Sequence, residues 1–253
     1  MPRAYTRIDN GSATVGNDWI ERRWSELLCK TVELRQKLSG GYVEWIAASG
    51  PDLKLEMDGV PVRPELAALP AWSESCDAFG ASVTVRWPGP GWTVTVRTMA
   101  LHDNPGLVRT VAVSNFGEGA FSLTAAAVEA LALRRDGAGV LTHGLARRSE
   151  AVVWETGEHA VAAELQGRGR LGLLLGLEQG GRYELFDPDP ARCVLALNAP
   201  VTVLPDRTVQ LTRTFVIPYS GDPNMVVSAK LAELLRLLGG QGRCEREQAA
   251  DTA

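Results

Sequence analysis

The chain has 253 residues, 45% of them hydrophobic, and 26 Lys and Arg against 30 Asp and Glu leave a formal net charge of -4. That apolar share supplies a large core without metal or disulfide staples, and the near balance of charge excludes a general binder of nucleic acid or anionic membrane, whose footprint is a surplus of Lys and Arg. Cys29, Cys76, Cys193 and Cys244 lie far apart with no C-x-x-C pair, so zinc and redox motifs find no support.

Residues 1–10 carry charges and no apolar h-region, which reads as no signal peptide and makes the cytoplasm the expected compartment. Period-two alternation then dominates the chain. Residues 19–24, 31–38 and 42–46 read as strands. Residues 83–87 and 92–97 alternate on either side of Pro88-Gly89-Pro90-Gly91 and read as a hairpin. Residues 107–115 form a strand that turns at Phe116-Gly117-Glu118-Gly119. Residues 120–133 are rich in helix-favouring alanine and leucine, but Phe121, Leu123, Ala125 and Ala127 alternate with Ser122 and Thr124, so they too read as strand. Strands at 151–156, 160–166, 171–178, 182–186, 192–198 and 208–217 follow, with Asp187-Pro188-Asp189-Pro190 breaking the series.

One helix is expected. Asp222 caps it, Pro223 fits its first turn, residues 225–238 carry an apolar stripe, and Gly239-Gly240 ends it. The expected organisation is one all-β domain over residues 1–222 with roughly fifteen strands, too many for one small sandwich. A terminal helix over 223–240 packs on it, and residues 241–253 form a polar, disordered tail. The longest apolar run, at 171–177, is far too short to cross a bilayer.

Gly167-Arg168-Gly169-Arg170-Leu171-Gly172 matches G-x-G-x-x-G, but a strand rather than a helix follows it, so it reads as a hairpin turn and not a nucleotide loop. No cofactor is implied. His102, His143 and His159 show no local metal-ligand spacing, so no metal site is read. No G-x-S-x-G elbow or Walker loop is present, and Glu129, Glu150, Glu155, Glu164 and Glu184 are scattered along strands, on faces read as wet. No catalytic residue is assigned. The seven tryptophans could plug the core or stack on a sugar ring. Trp72, in a segment that reads as loop, and Trp154 are the candidates for exposure, and His143, between strands, is the candidate polar contact.

Several segments resemble the N-terminal domain of family 36 α-galactosidases. Gly16-Asn17-Asp18-Trp19-Ile20-Glu21-Arg22 is similar to its opening strand, and Thr31-Val32-Glu33-Leu34-Arg35-Gln36-Lys37-Leu38-Ser39-Gly40 to the strand after it. Asn104-Pro105-Gly106-Leu107-Val108-Arg109, with Asn115, looks like a third signature, and residues 203–205 and 219–222 resemble the close of that domain. The resemblance implies a large antiparallel β-supersandwich of the galactose-mutarotase type. It implies no glycosidase activity, because in that family the catalytic aspartates stand on a βα barrel that begins where this chain stops. The related aldose mutarotases use a His as acid and a Glu as base; aligned on their motif, the position of the histidine is Ala126.

Three readings follow. The first is a non-catalytic carbohydrate-binding or accessory domain whose sugar site on a sheet face draws on Trp154, Trp72, His143 and Arg109. The second is a divergent mutarotase or epimerase. The third is an interaction scaffold in which the apolar stripe of the terminal helix meets a second copy or a partner protein rather than its own sheet.

Overall fold

Alternating side chains make two-faced strands, and two-faced strands must stack. The computed structural model describes residues 3–9, 11–25, 30–47, 52–62, 70–133, 140–144, 160–165, 171–178, 181–186, 191–197, 199–221, 227–231, 233–234 and 236–237, with the backbone alone at 140–144, 160–165, 181–186, 191–193 and 227–228. The strands run, in order, β1 (Tyr5–Asp9), β2 (Ser12–Gly16), β3 (Ile20–Ser25), β4 (Lys30–Leu38), β5 (Gly41–Glu44), β6 (Lys54–Met57) and β7 (Val60–Val62). Next come β8 (Ala71–Cys76), β9 (Gly80–Gly89), β10 (Trp92–Leu101), β11 (Leu107–Asn115), β12 (Phe121–Leu133), β13 (Val140–Gly144) and β14 (Ala160–Leu165). The series closes with β15 (Leu171–Leu177), β16 (Gly181–Phe186), β17 (Ala191–Leu197), β18 (Val201–Val203), β19 (Arg207–Gln210) and β20 (Thr214–Ser220).

They form three antiparallel sheets. The first is a meander in the order β1-β2-β3-β4-β5. The second runs β13-β14-β15-β20-β11-β10-β9-β8, with β19 also on β11; the third runs β16-β17-β12-β6-β7, with β18 also on β12. Val85 and Trp87 of β9, Val94 and Val96 of β10, Leu173 and Leu175 of β15, Leu131 and Leu133 of β12 and Ile20 and Leu34 of the meander share one core. The fold is the expected layered, all-β, antiparallel sandwich.

Three elements depart from the alternation. The expected strand at 208–217 is two strands, because Leu211 donates its N–H to the Val111 carbonyl at 2.8 Å and Arg213 accepts from Glu178 N–H at 2.9 Å, bending the chain between β19 and β20. In β12 the face expected from Phe121, Leu123, Ala125 and Ala127 is replaced by Leu123, Ala126, Val128, Glu129, Leu131 and Leu133. Register shifts between Leu123 and Ala125 and between Ala127 and Glu129 insert extra residues, each resetting which side chains point inward. The second shift buries Glu129, which the sequence pattern places on a wet face. Third, the described helical residues begin with a wide, π-type turn at Val227–Leu231 rather than regular α-helix. The proposed cap and first turn, at 222–226, lie outside the described residues, as does the strand expected at 151–156.

Leu231, Leu234 and Leu237 of that helical segment pack on Met99, Leu101, Val108, Leu174, Phe215, Ile217 and Tyr219, on the outer face of the nine-stranded sheet. These three leucines of the stripe pack on the chain's own sheet. Asn104 holds the junction, its Nδ2 donating to the Lys230 carbonyl at 3.2 Å and its Oδ1 accepting from Gly106 N–H at 2.9 Å.

Asn17 clamps the turn between β2 and β3 to the end of β10. Its Nδ2 donates to the carbonyls of Leu101 (3.2 Å) and Asn104 (3.0 Å), and its Oδ1 accepts the N–H groups of Trp19 (3.0 Å) and Ile20 (3.1 Å), all with the side chain fully buried. Asn17→Ala removes four bonds and strands buried backbone groups, so it is expected to cost about 2–3 kcal/mol. Urea unfolding should show the midpoint lowered at unchanged slope.

Candidate functional site

A buried ionic network ties the three sheets together. Arg22 of β3 donates from Nη1 and Nη2 to the two oxygens of Glu129 on β12 at 2.9 and 2.7 Å, and from Nη2 to Asp52 Oδ2 at 2.8 Å. Arg109 of β11 reaches the same carboxylates through Nη1, at 3.0 Å to Glu129 and 3.4 Å to Asp52. Neutral donors complete the shell: Thr31 N–H to Asp52 Oδ1 at 2.9 Å, Trp24 Nε1 to Asp52 Oδ2 at 3.0 Å and Thr214 Oγ1 to Glu129 Oε2 at 3.4 Å. Arg22 Nε donates to Thr31 Oγ1 at 2.8 Å, and its guanidinium lies over the Trp24 ring, 5.0 Å from the centroid.

Two guanidiniums face two carboxylates, so the charges balance, and every member is buried. Burial opposes the charged form of Glu129, but the adjacent guanidiniums of Arg22 and Arg109 outweigh it and hold its carboxyl below the usual range. Burial likewise works against charged Arg22, and Glu129 and Asp52 outweigh it, raising its pKa further. A carboxylate locked in this way holds the fold together and is poorly placed to pass protons.

Breaking one pair leaves an uncompensated buried charge, so Arg109→Met is expected to destabilise by about 3–5 kcal/mol, read by thermal or urea unfolding. A pH dependence also follows. The folded-state pKa of Glu129 lies below its ordinary 4.5, so its stabilising effect is complete above that pH and fades as pH falls through the folded value. The stability gap between the wild type and Glu129→Gln should therefore be widest above pH 4.5 and shrink in acid; a gap that does not change with pH would contradict this role.

Of the residues singled out from sequence, the two whose side chains are described, Arg109 and Trp72, meet at the core rather than on an open surface. Arg109 points inward, into the network. Trp72 lies in β8 rather than a loop, paired across from Val85, with its ring packed against the core. The void that it shares with Trp24, Trp87 and Arg109 has a volume of about 10 Å³, room for one water and no sugar ring. His143 lies within β13, its Cα opposite that of Ala162, rather than between strands, and its side chain is outside the described residues, as is all of Trp154. Gly172 of the glycine-rich match sits in β15, which pairs antiparallel with β14, so no helix N-terminus follows it; residues 167–170 lie outside the description. Ala126, the position aligned with the mutarotase histidine, is buried in β12.

The open surface lies elsewhere, on the outer face of the nine-stranded sheet beside the helical segment. A groove of about 450 Å³ is lined by Ser75 of β8, Thr84 and Arg86 of β9, Thr95 and Arg97 of β10, Thr110 of β11, Gln210 of β19 and Arg213 before β20, with Met99, Val108 and Ala112 as its apolar floor. Strand register sets these groups in rows. Arg86, Thr95, Ala112 and Gln210 lie opposite one another across four strands, and Thr84, Arg97 and Thr110 form the next row. Arg97 Nε donates to Ser82 Oγ at 3.1 Å and its Nη2 lies 3.8 Å from Asp77; Arg213 Nη1 lies 3.4 Å from Glu178. Arg86 is exposed. Among the described residues the lining includes no carboxylate, imidazole or aromatic ring. Four of the groove residues were visible as the polar positions of the 83–97 hairpin. Only register showed that Gln210 and Arg213, more than a hundred residues later, join them.

No family model matches the chain, and no curated protein sequence does. Solved structures do, and the class they define is a fold. The α-N-acetylgalactosaminidase NagBb from Bifidobacterium bifidum, in complex with GalNAc, is similar at a TM-score of 0.58 and 10% identity over 93% of this chain and 39% of that one. The family 36 α-galactosidase AgaB from Geobacillus stearothermophilus is similar at 0.57 and 9% identity over 86% of this chain and 41% of that one. A TPR-domain-containing protein from Parabacteroides distasonis is similar at 0.56 and 16% identity over 83% of this chain and 47% of that one. The chain spans less than half the length of each, and at these identities the likeness is one of fold alone. Among the described residues no helix is long and apolar enough to cross a membrane, and no group of three His, Cys, Asp or Glu is gathered as for a metal ion.

Proposed function

We propose that this chain is a carbohydrate-binding accessory domain that uses the outer groove of its nine-stranded sheet. The observation that carries the reading is the groove itself: an open cavity of about 450 Å³ presenting hydroxyl, amide and guanidinium groups from five strands and the bend after β19. Its volume falls within the roughly 300–1,000 Å³ of small-molecule sites, and rigid sheet elements hold its polar groups in fixed rows. Ser, Thr, Gln and Arg side chains are the partners that sugar hydroxyls need. The fold likeness to parts of an α-galactosidase and an α-N-acetylgalactosaminidase supports a saccharide as the class of ligand. The described lining offers no acid–base pair, which favours binding over an anomerase or epimerase reaction.

The test is a glycan array probed with the full chain, followed by calorimetry on the strongest ligand. Gln210→Ala combined with Thr95→Val is expected to weaken that ligand at least fivefold with the melting temperature unchanged. An array with no ligand above background, or an affinity indifferent to the double substitution, would remove the groove from consideration as a sugar site.

A further inference from the structure

We infer that the groove takes a neutral, linear oligosaccharide laid across the strands rather than a single sugar; this rests on the carbohydrate reading above and deepens it. The described lining belongs to one layer. Apart from Arg213, at the bend before β20, every described lining residue stands on a strand of the nine-stranded sheet, and none comes from another sheet or from the helical segment. Sites that hold one small molecule tightly bury most of its surface, about 70–90%. A sugar ring lying on this floor is touched from one side. It makes few contacts, while the loss of translational and rotational freedom on binding is much the same for one ring as for several. Joined rings meet that cost once and add contacts ring by ring.

Register sets the length. The lining runs from Ser75 on β8 through β9, β10 and β11 to Gln210 on β19, each strand paired with the next. Neighbouring strands lie about 4.8 Å apart, so the five strands span about 19 Å. A pyranose advances an extended chain by about one strand spacing, which gives room for about four rings. Each strand offers an uncharged hydrogen-bonding group along the way: Ser75, Thr84, Thr95, Thr110 and Gln210 in turn. The two at the ends, Ser75 and Gln210, are exposed. Hydroxyl and amide groups both donate and accept, as sugar hydroxyls require. The guanidiniums of Arg97 and Arg213 already face Asp77 and Glu178, at 3.8 and 3.4 Å, so the match is to a hydroxyl-rich neutral chain.

Calorimetry on the full chain with two ladders of probes tests this: β-1,4-linked galactose and β-1,4-linked glucose oligomers, from the monosaccharide to the hexaose. In at least one ladder, affinity is expected to rise at least tenfold from the monosaccharide to the tetraose and to stay within twofold from there to the hexaose. Ser75→Ala with Gln210→Ala, at the two ends of the row, should weaken the tetraose at least fivefold and the biose less than twofold, with the melting temperature unchanged. A monosaccharide that binds as tightly as its tetraose would overturn the oligomer and leave the carbohydrate reading standing. Equal weakening of biose and tetraose by the double substitution would overturn the placement across the strands. Binding of no member of either ladder would overturn this inference and the carbohydrate reading together.

Discussion

Four buried ions, Arg22, Asp52, Arg109 and Glu129, set the constraint that the rest of the molecule must satisfy. Each comes from a different place: two different sheets supply the arginines, a third supplies Glu129, and Asp52 lies just ahead of β6. Apolar packing tolerates small slides between layers, since one methyl contact replaces another. A charge network does not, because a displaced partner leaves a bare ion in a medium of low dielectric. The network therefore fixes how the meander, the nine-stranded sheet and the six-stranded sheet sit on one another, and the surrounding valines, leucines and tryptophans fill the space that it defines.

The same constraint runs through the short segments that the sequence analysis singled out. Arg22, Thr31 and Arg109 belong to the network itself. Asn17 clamps the end of β10 to the turn before β3, Asn104 ties the following loop to the Lys230 carbonyl, and Lys37 donates to the Asn17 carbonyl at 2.7 Å. Asn115 Nδ2 ties the turn after β11 to the carbonyls of Gly119 (2.8 Å) and Val203 (3.0 Å). Gly16 is needed because a Cβ there would lie 2.8 Å from the Ile20 carbonyl oxygen. These motif residues hold the frame, and the groove residues are not among them.

The nine-stranded sheet serves two purposes on its two faces. Its inner face belongs to the shared core. Its outer face is divided between leucines from the helical segment and an open polar groove, with Met99 and Val108 contributing to both. The leucines of the helical segment cover part of that face, and the groove opens on another part of it.

Much of the architecture was legible in the residues alone. Alternation located most of the strands from β3 onward, because burial of one face imposes a period of two that no loop or helix imitates for long. β6, β7, β8, β13 and β18 escaped: each has six residues or fewer, and β8 is largely exposed, so none repeats the pattern for long enough to stand out. The resets in β12 escaped as well: a bulge is an insertion relative to a partner, and a single chain read linearly has no partner. For the same reason Glu129 looked wet and Arg109 looked available, although each is balanced by charges distant in sequence. Only pairing across the sheets decided those fates, and only pairing brought Arg86, Arg97 and Arg213 to one groove, because local order specifies which way a side chain alternates, while the company it keeps is set by strands that fold in from far along the chain.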